Sequence, residues 1–232
     1  MEQIFPLKIS FSHEGTQQAV FPTLIRHGGD LILVDCGYPG FLPLLETAIQ
    51  AQGFSPADLT HVVITHHDDD HMGALAELLD AYPRIQVLSG AEEAPYISGE
   101  KKSLRLQQAE ALQPALPPEM QAWGLAFQQR LAVVRPARVD VPLSPGAVLP
   151  WCGGCQVLAT PGHMSGHISL YFPQARTVIT GDAAVVEGQA LALANPQFTL
   201  DMAAAQTSLA MLLALPADTY HCFHGGTFRR NP

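Results

Sequence analysis

Charge is scarce in this chain, and positive charge scarcest. Only 14% of the 232 residues are charged, and 12 Lys and Arg face 21 Asp and Glu for a formal net charge of −9. A nucleic-acid binder needs a basic footprint, so that class is set aside, and anionic membrane surfaces are disfavoured on the same ground. Long apolar runs are missing too, since none approaches the ~20 residues of a membrane span. The opening Met-Glu-Gln-Ile-Phe-Pro-Leu-Lys has no basic stretch followed by a long apolar one, so no signal peptide and a cytoplasmic location are expected. Four cysteines, Cys36, Cys152, Cys155 and Cys222, are too few for a disulfide scaffold at this length. Low-complexity segments and short repeats are absent. What is there is globular composition, 47% hydrophobic and long enough for one sizeable core.

Hydrophobic patterning predicts strands over 4–11, 19–27 and 30–35, with Gly28-Gly29-Asp30 as a turn. A helix is expected over 41–52, where Leu42, Leu45 and Ile49 recur at helical spacing. A buried strand at 60–64, a short helix at 74–81 and a strand at 85–88 follow. Residues 98–140 differ: half of the basic residues fall there, and Pro114, Pro117 and Pro118 cluster within it. This segment is expected to be a helical lid or insertion in a single domain spanning 1–232. Strands resume at 139–142, 147–151, 155–159, 167–172 and 176–180, then a helix at 201–214 and a strand near 218–223. Two similar passes of strands and helices predict a four-layer αββα sandwich, two mixed sheets with helices on the outer faces.

The densest chemistry is Thr65-His66-His67-Asp68-Asp69-Asp70-His71-Met72-Gly73, between the apolar Val62-Val63-Ile64 and a helix-like stretch. Three carboxylates and three imidazoles so close together imply a cation, and mixed imidazole and carboxylate suits zinc, iron or manganese. An extended backbone would put His66, Asp68 and Asp70 on one side, with His71 following as the helix begins. His67 and Asp69 would then point away. Three later motifs share a pattern: Pro161-Gly162-His163, Gly181-Asp182 and His224-Gly225-Gly226 each put a His or Asp beside glycine at a strand end. Glycine lets the backbone approach closely.

In this order the motifs resemble those of the metallo-β-lactamase-fold hydrolases, and Asp35-Cys36-Gly37 matches that family's early Asp-x-Gly. The resemblance runs from about residue 20 to the C-terminus and omits the lid. It implies two divalent metal ions, zinc first, with iron or manganese as alternatives. His66, Asp68 and His163 would hold one ion. Asp70, His71 and His224 would hold the other, Asp182 would bridge them, and Asp35 would brace the site from behind. A hydroxide shared by the ions would attack a small ester, thioester or lactone, with Asp70 as the catalytic residue that orients it.

Asp68 departs from the family, which mostly has His there. Three carboxylates and a hydroxide would balance two divalent cations and leave a neutral, less electrophilic cluster. That keeps a non-hydrolytic iron-dependent oxygenase or redox enzyme as an alternative, beside a phosphodiesterase. The glyoxalase-II-like thioesterases carry an extra C-terminal helical domain, whereas this sequence stops about eight residues after His224. A small-molecule substrate is expected, with no nucleic acid or membrane partner, and a homodimer is left open.

The remaining candidates receive structural readings. His167 is expected to stabilise its loop and His221 to pack. Cys152-Gly-Gly-Cys155 is read as a turn. Lys101, Lys102 and Arg105 are assigned to a solvated helix face, and Tyr96 either lines the pocket at the lid hinge or packs in the core.

Overall fold

The computed structural model describes residues 3–13 and 15–230; Met1, Glu2, Glu14, Asn231 and Pro232 lie outside the described chain. The chain runs through β1 (Gln3–Pro6), β2 (Ile9–His13), β3 (Thr16–Val20), β4 (Thr23–His27) and β5 (Asp30–Val34) into α1 (Leu42–Ala51). Then come β6 (His61–Ile64), α2 (Asp69–Met72), α3 (Leu75–Ala81), β7 (Gln86–Gly90) and α4 (Ala94–Ile97). The lid segment holds α5 (Leu104–Leu112) and α6 (Gln121–Ala132). The second half contains β8 (Val141–Leu143), β9 (Val148–Leu149), β10 (Cys155–Ala159), β11 (Ile168–Phe172), β12 (Thr177–Gly181), β13 (Val185–Glu187) and β14 (Ala190–Ala192). It ends with α7 (Met202–Ala214), β15 (Thr219–Cys222) and β16 (Gly226–Arg229).

Two six-stranded sheets form, in the orders β1-β4-β5-β6-β7-β8 and β16-β15-β12-β11-β10-β9. Both are mixed: β5 to β8 pair in parallel in the first, and β12 with β15 in the second. Alternation along each strand builds the layers. On β5 and β6, Leu31, Leu33, Val62 and Ile64 face α1 and α3, meeting Leu45, Ile49, Leu75 and Leu78. Ile32, Val34 and Val63 face the other way, onto Val157, Leu170, Phe172 and Ile179 of the second sheet. Tyr171, Val178 and Tyr220 of that sheet cover Leu212 of α7. Helix, sheet, sheet and helix therefore stack as the αββα sandwich expected.

Several boundaries differ from the pattern-based reading. The stretches 4–11 and 19–27 each split in two, and β2 and β3 make a separate hairpin with Ile9 opposite Val20. Apolar Leu7 and Phe21 at the junctions kept each stretch looking continuous. The β13–β14 hairpin and glycine-led β16 were not expected, being too short or too poor in apolar residues to register. Cys152-Gly153-Gly154 leads from β9 into β10, which Cys155 opens, with Cys152 at φ 48° and both cysteines buried. The acidic run is extended only to Asp68 (φ −71°, ψ 152°); helical geometry begins at Asp69 rather than near Gly73.

Candidate metal centre

The site lies where β5, β6, β10, β12 and β15 give way to loops. Asp35 follows β5 with a φ of 60°, a left-handed conformation that Asp tolerates better than most residues. Its Oδ1 accepts from Thr65 N (2.9 Å), and its Oδ2 accepts from His71 Nδ1 (2.8 Å). That bond fixes the His71 tautomer and leaves Nε2 free to face the centre, the arrangement metal-binding histidines use. The turn of α2 carries Asp70 and His71 round to the side that His66 and Asp68 reach from the extended segment.

The second sheet supplies the rest. Gly162 (φ 134°) seats the loop before His163 against α7, where an added Cβ would stand 2.2 Å from Ala205 N. Gly181 (φ 52°) is equally constrained, since a Cβ there would stand 2.6 Å from His167 Nε2. His167 receives the Asp182 N–H on Nε2 (2.9 Å) and pairs with Thr160 Oγ1 through Nδ1 (2.8 Å). Burial lowers its pKa to about 3, so it stays neutral and holds the Asp182 backbone. That is the structural role expected of it. His221 pairs with Thr227 Oγ1 (2.9 Å) on β16 and takes no part in the cluster.

The seven sequence-chosen residues converge. Three groups have donor atoms within 4.8 Å of one another: His66–Asp68–His163, His66–His71–Asp182 and Asp70–His71–His224. Asp182 lies between the first and last, its Oδ2 3.5 Å from both His163 Nε2 and His224 Nε2, its Oδ1 3.3 Å from His71 Nε2. Asp70 Oδ2 is 3.1 Å from His224 Nε2. Burial would push His71 and His224 down, but the carboxylates of Asp182 and Asp70 outweigh it and raise both. Burial would likewise raise Asp68 and Asp182, yet Arg105 and the histidines beside Asp68, and His224, His71 and His163 around Asp182, hold both well below the carboxylate range. His66 Nε2, His71 Nε2 and Asp182 Oδ1 are buried without hydrogen-bond partners among the described residues. Orphaned donor atoms at the centre of an imidazole–carboxylate cluster fit divalent cations, which would take the place of protons there.

The structure corrects the expectation for the lid. Arg105 is not on a solvated face: it is 2% exposed and grips Asp68, with Nη2 2.8 Å from Oδ2 and Nε 3.2 Å from Oδ1. The neutral cluster expected from Asp68 therefore gains a positive charge. His67 and Asp69 stand outside the three convergent groups, and both hold the lid. Leu104 N donates to His67 Nε2 (3.1 Å), the His67 ring stacks on Tyr96, and Arg130 Nε sits 2.9 Å from Asp69 Oδ2. Tyr96 thus packs under the lid instead of lining the cleft. Glu93, fully buried, bonds both the ring and the N–H of His67 and accepts from Gly166 N (3.1 Å), tying the two loop systems together. Sequence reasoning missed Glu93, Arg105 and Arg130. A cleft of about 370 Å³ opens over the cluster, walled by Tyr38, Phe127, Val185 and Phe198 and reaching Asp70, Asp182 and His224.

A family model described as the metallo-beta-lactamase superfamily matches residues 15–224. The chain belongs to this superfamily. Among curated proteins it is 27% identical over 210 residues to the probable metallo-hydrolase YflN of Bacillus subtilis, covering 84% of this chain and 75% of that one. It is 30% identical over 194 residues to a hydroxyacylglutathione hydrolase of Fuscovulum blasticum, covering 84% of this chain but only 56% of that protein. In fold it matches a metallo-β-lactamase family protein from Thermus thermophilus with a TM-score of 0.72 at 22% identity, over 97% of this chain and 74% of the other. A metallo-β-lactamase from Pontibacter korlensis aligns over 99% of this chain with a TM-score of 0.67 at 16% identity. Superfamily membership and the convergent His/Asp groups together support a metal-dependent hydrolase.

Proposed function

We propose that this protein hydrolyses a small acyl compound, a thioester first and an ester or lactone next, with two divalent cations, zinc foremost. The observation that carries this reading is the convergence of His66, Asp68, Asp70, His71, His163, Asp182 and His224 at the floor of one small cleft. The likeness to a hydroxyacylglutathione hydrolase favours the thioester. The cleft wall supports an uncharged acyl group: Phe127, Val185 and Phe198 are apolar, and its two cations, Arg105 and Arg130, are already ion-paired to Asp68 and Asp69. A phosphodiester would need such cations free.

Divalent cations supply Lewis acidity and activate water near neutral pH. The protein's own groups do the rest. Asp70 is the most exposed of the three carboxylates, its side chain 14% accessible against 7% for Asp68 and 6% for Asp182. It is placed to orient the attacking water and take its proton. Asp35 and Thr65 keep His71 in one orientation.

The test is thiol release from acylglutathione thioesters, alongside phenyl esters, lactones and phosphodiesters. Turnover of thioesters or esters that stops on chelation, returns with metal and drops in Asp70→Asn is expected. Turnover confined to phosphodiesters, or unaffected by chelation, would sink the reading.

A further inference from the structure

Arg105 reaches into the cluster from the first turn of α5 and is locked there. Nη1 donates to Gln108 Oε1 (2.6 Å), and the guanidinium lies over the Phe198 ring, Cζ 5.5 Å from its centroid. Nη2 contacts two atoms at once, Asp68 Oδ2 at 2.8 Å and His163 Nε2 at 3.3 Å. Asp68 Oδ2 in turn lies 3.0 Å from His163 Nε2 and 3.5 Å from His66 Nε2. The guanidinium therefore abuts the very side chains that complete the His66–Asp68–His163 group. The other group is free of such a neighbour: among the described residues the ion-pair partners of Asp70 and Asp182 are all histidines.

We propose that Arg105 acts as a resident cation at the His66–Asp68–His163 position, so that the protein binds one divalent ion tightly at Asp70–His71–His224 with Asp182 and a second only weakly. Charge supports this order. Asp68, Asp70 and Asp182 bring three negative charges to the cluster, and before any hydroxide is added Arg105 with one divalent ion balances them. A second ion must both share Asp68 and His163 with a buried guanidinium and leave excess positive charge in a site where charge is poorly solvated. The head group of Arg105 is held on three sides, by Gln108, Asp68 and the Phe198 ring.

The inference rests on the metal-centre reading, and its test separates the two. Metal-free protein is titrated calorimetrically with Zn²⁺ and with Mn²⁺, and bound metal is counted after desalting. The wild type is expected to retain one equivalent. Arg105→Met is expected to retain two, the weaker affinity rising by at least about ten-fold, the scale on which neighbours of a ligand tune metal binding. Mn²⁺-loaded Arg105→Met should show the exchange-coupled paramagnetic resonance signal of a pair, and the wild type an isolated-ion signal. If Arg105→Met fails to fold, Asp68→Asn and His224→Ala carry the test in its place. The first should keep the single tight ion and the second should lose it. Two equivalents of equal affinity in the wild type, or a tight ion lost with Asp68 and kept without His224, would overturn the proposal alone. Absence of any bound ion would overturn the metal-centre reading with it.

Discussion

Asp182 touches three histidines from both halves of the cluster, so no other side chain can make up for it. Asp182→Ala is expected to lower kcat/KM by more than about a hundred-fold and to reduce bound metal, since even second-layer partners of ligands are worth ten- to a hundred-fold. Steady-state kinetics and metal counting on the same sample check it. His221 offers a different readout, away from the cluster. Burial, helped by Arg229, lowers its pKa from 6.5 to about 4. The unfolded chain therefore binds a proton between those values that the folded chain refuses. Stability from this residue is complete above pH 6.5 and is lost as pH falls toward 4, by ~3 kcal/mol in all. Denaturant melts across that range should show the loss in the wild type and a much smaller one in His221→Gln; equal slopes would refute it. At this scale the sequence was largely readable. His163, Asp182 and His224 stood at strand ends beside glycine, and His66 to His71 stood in one run. Glu93 was not readable, because a lone Glu in a short helix-flanking turn carries no signal of its burial.

The lid is fastened to the acidic run at three successive residues: His67 takes the N–H of Leu104, Asp68 takes Arg105, and Asp69 takes Arg130. Periodicity could not show this. Arg105 is the buried residue of α5, and α6 buries only Gly124 and Leu131, so neither helix presents an apolar stripe. Partners 37 residues apart in sequence, joined by charge, leave no local pattern. The ordering of α5 depends on its start, where Ser103 accepts from Leu106 N (3.3 Å). Ser103→Ala removes that cap, worth ~1 kcal/mol. Amide exchange over the first turn of α5 should quicken about five-fold, while exchange in β5 and β6 stays unchanged. Uniformly faster exchange throughout would show that the effect is global instead.

Across the whole molecule, the two sheets and their helices were legible because buried strands such as β5 and β6 carry the apolar runs Leu31–Val34 and Val62–Ile64. The small hairpins escaped because β13 and β14, at three residues each, are too short to register and β3 is largely polar. Among the described residues no helix is long and apolar enough to cross a membrane. The site draws residues from both sheets, so ligation ties the halves together. A divalent ion bound to the folded state alone should stabilise it by ~2.7 kcal/mol at a hundred-fold excess over its Kd. For a chain of this size the melting temperature should rise by about 5–10 °C over that in chelator. A melt unmoved by Zn²⁺ or Mn²⁺ would contradict the centre.

The fastening of the lid has a further consequence. The acidic run holds both the centre and the roof above it, and Asp68 serves both. A compound that binds better with the roof raised, and so with Asp68 released from Arg105, would alter ion affinity, and by reciprocity the ion would alter the affinity for that compound by the same factor. A substrate's bulk, felt at α5, would then govern how many ions the floor retains during turnover.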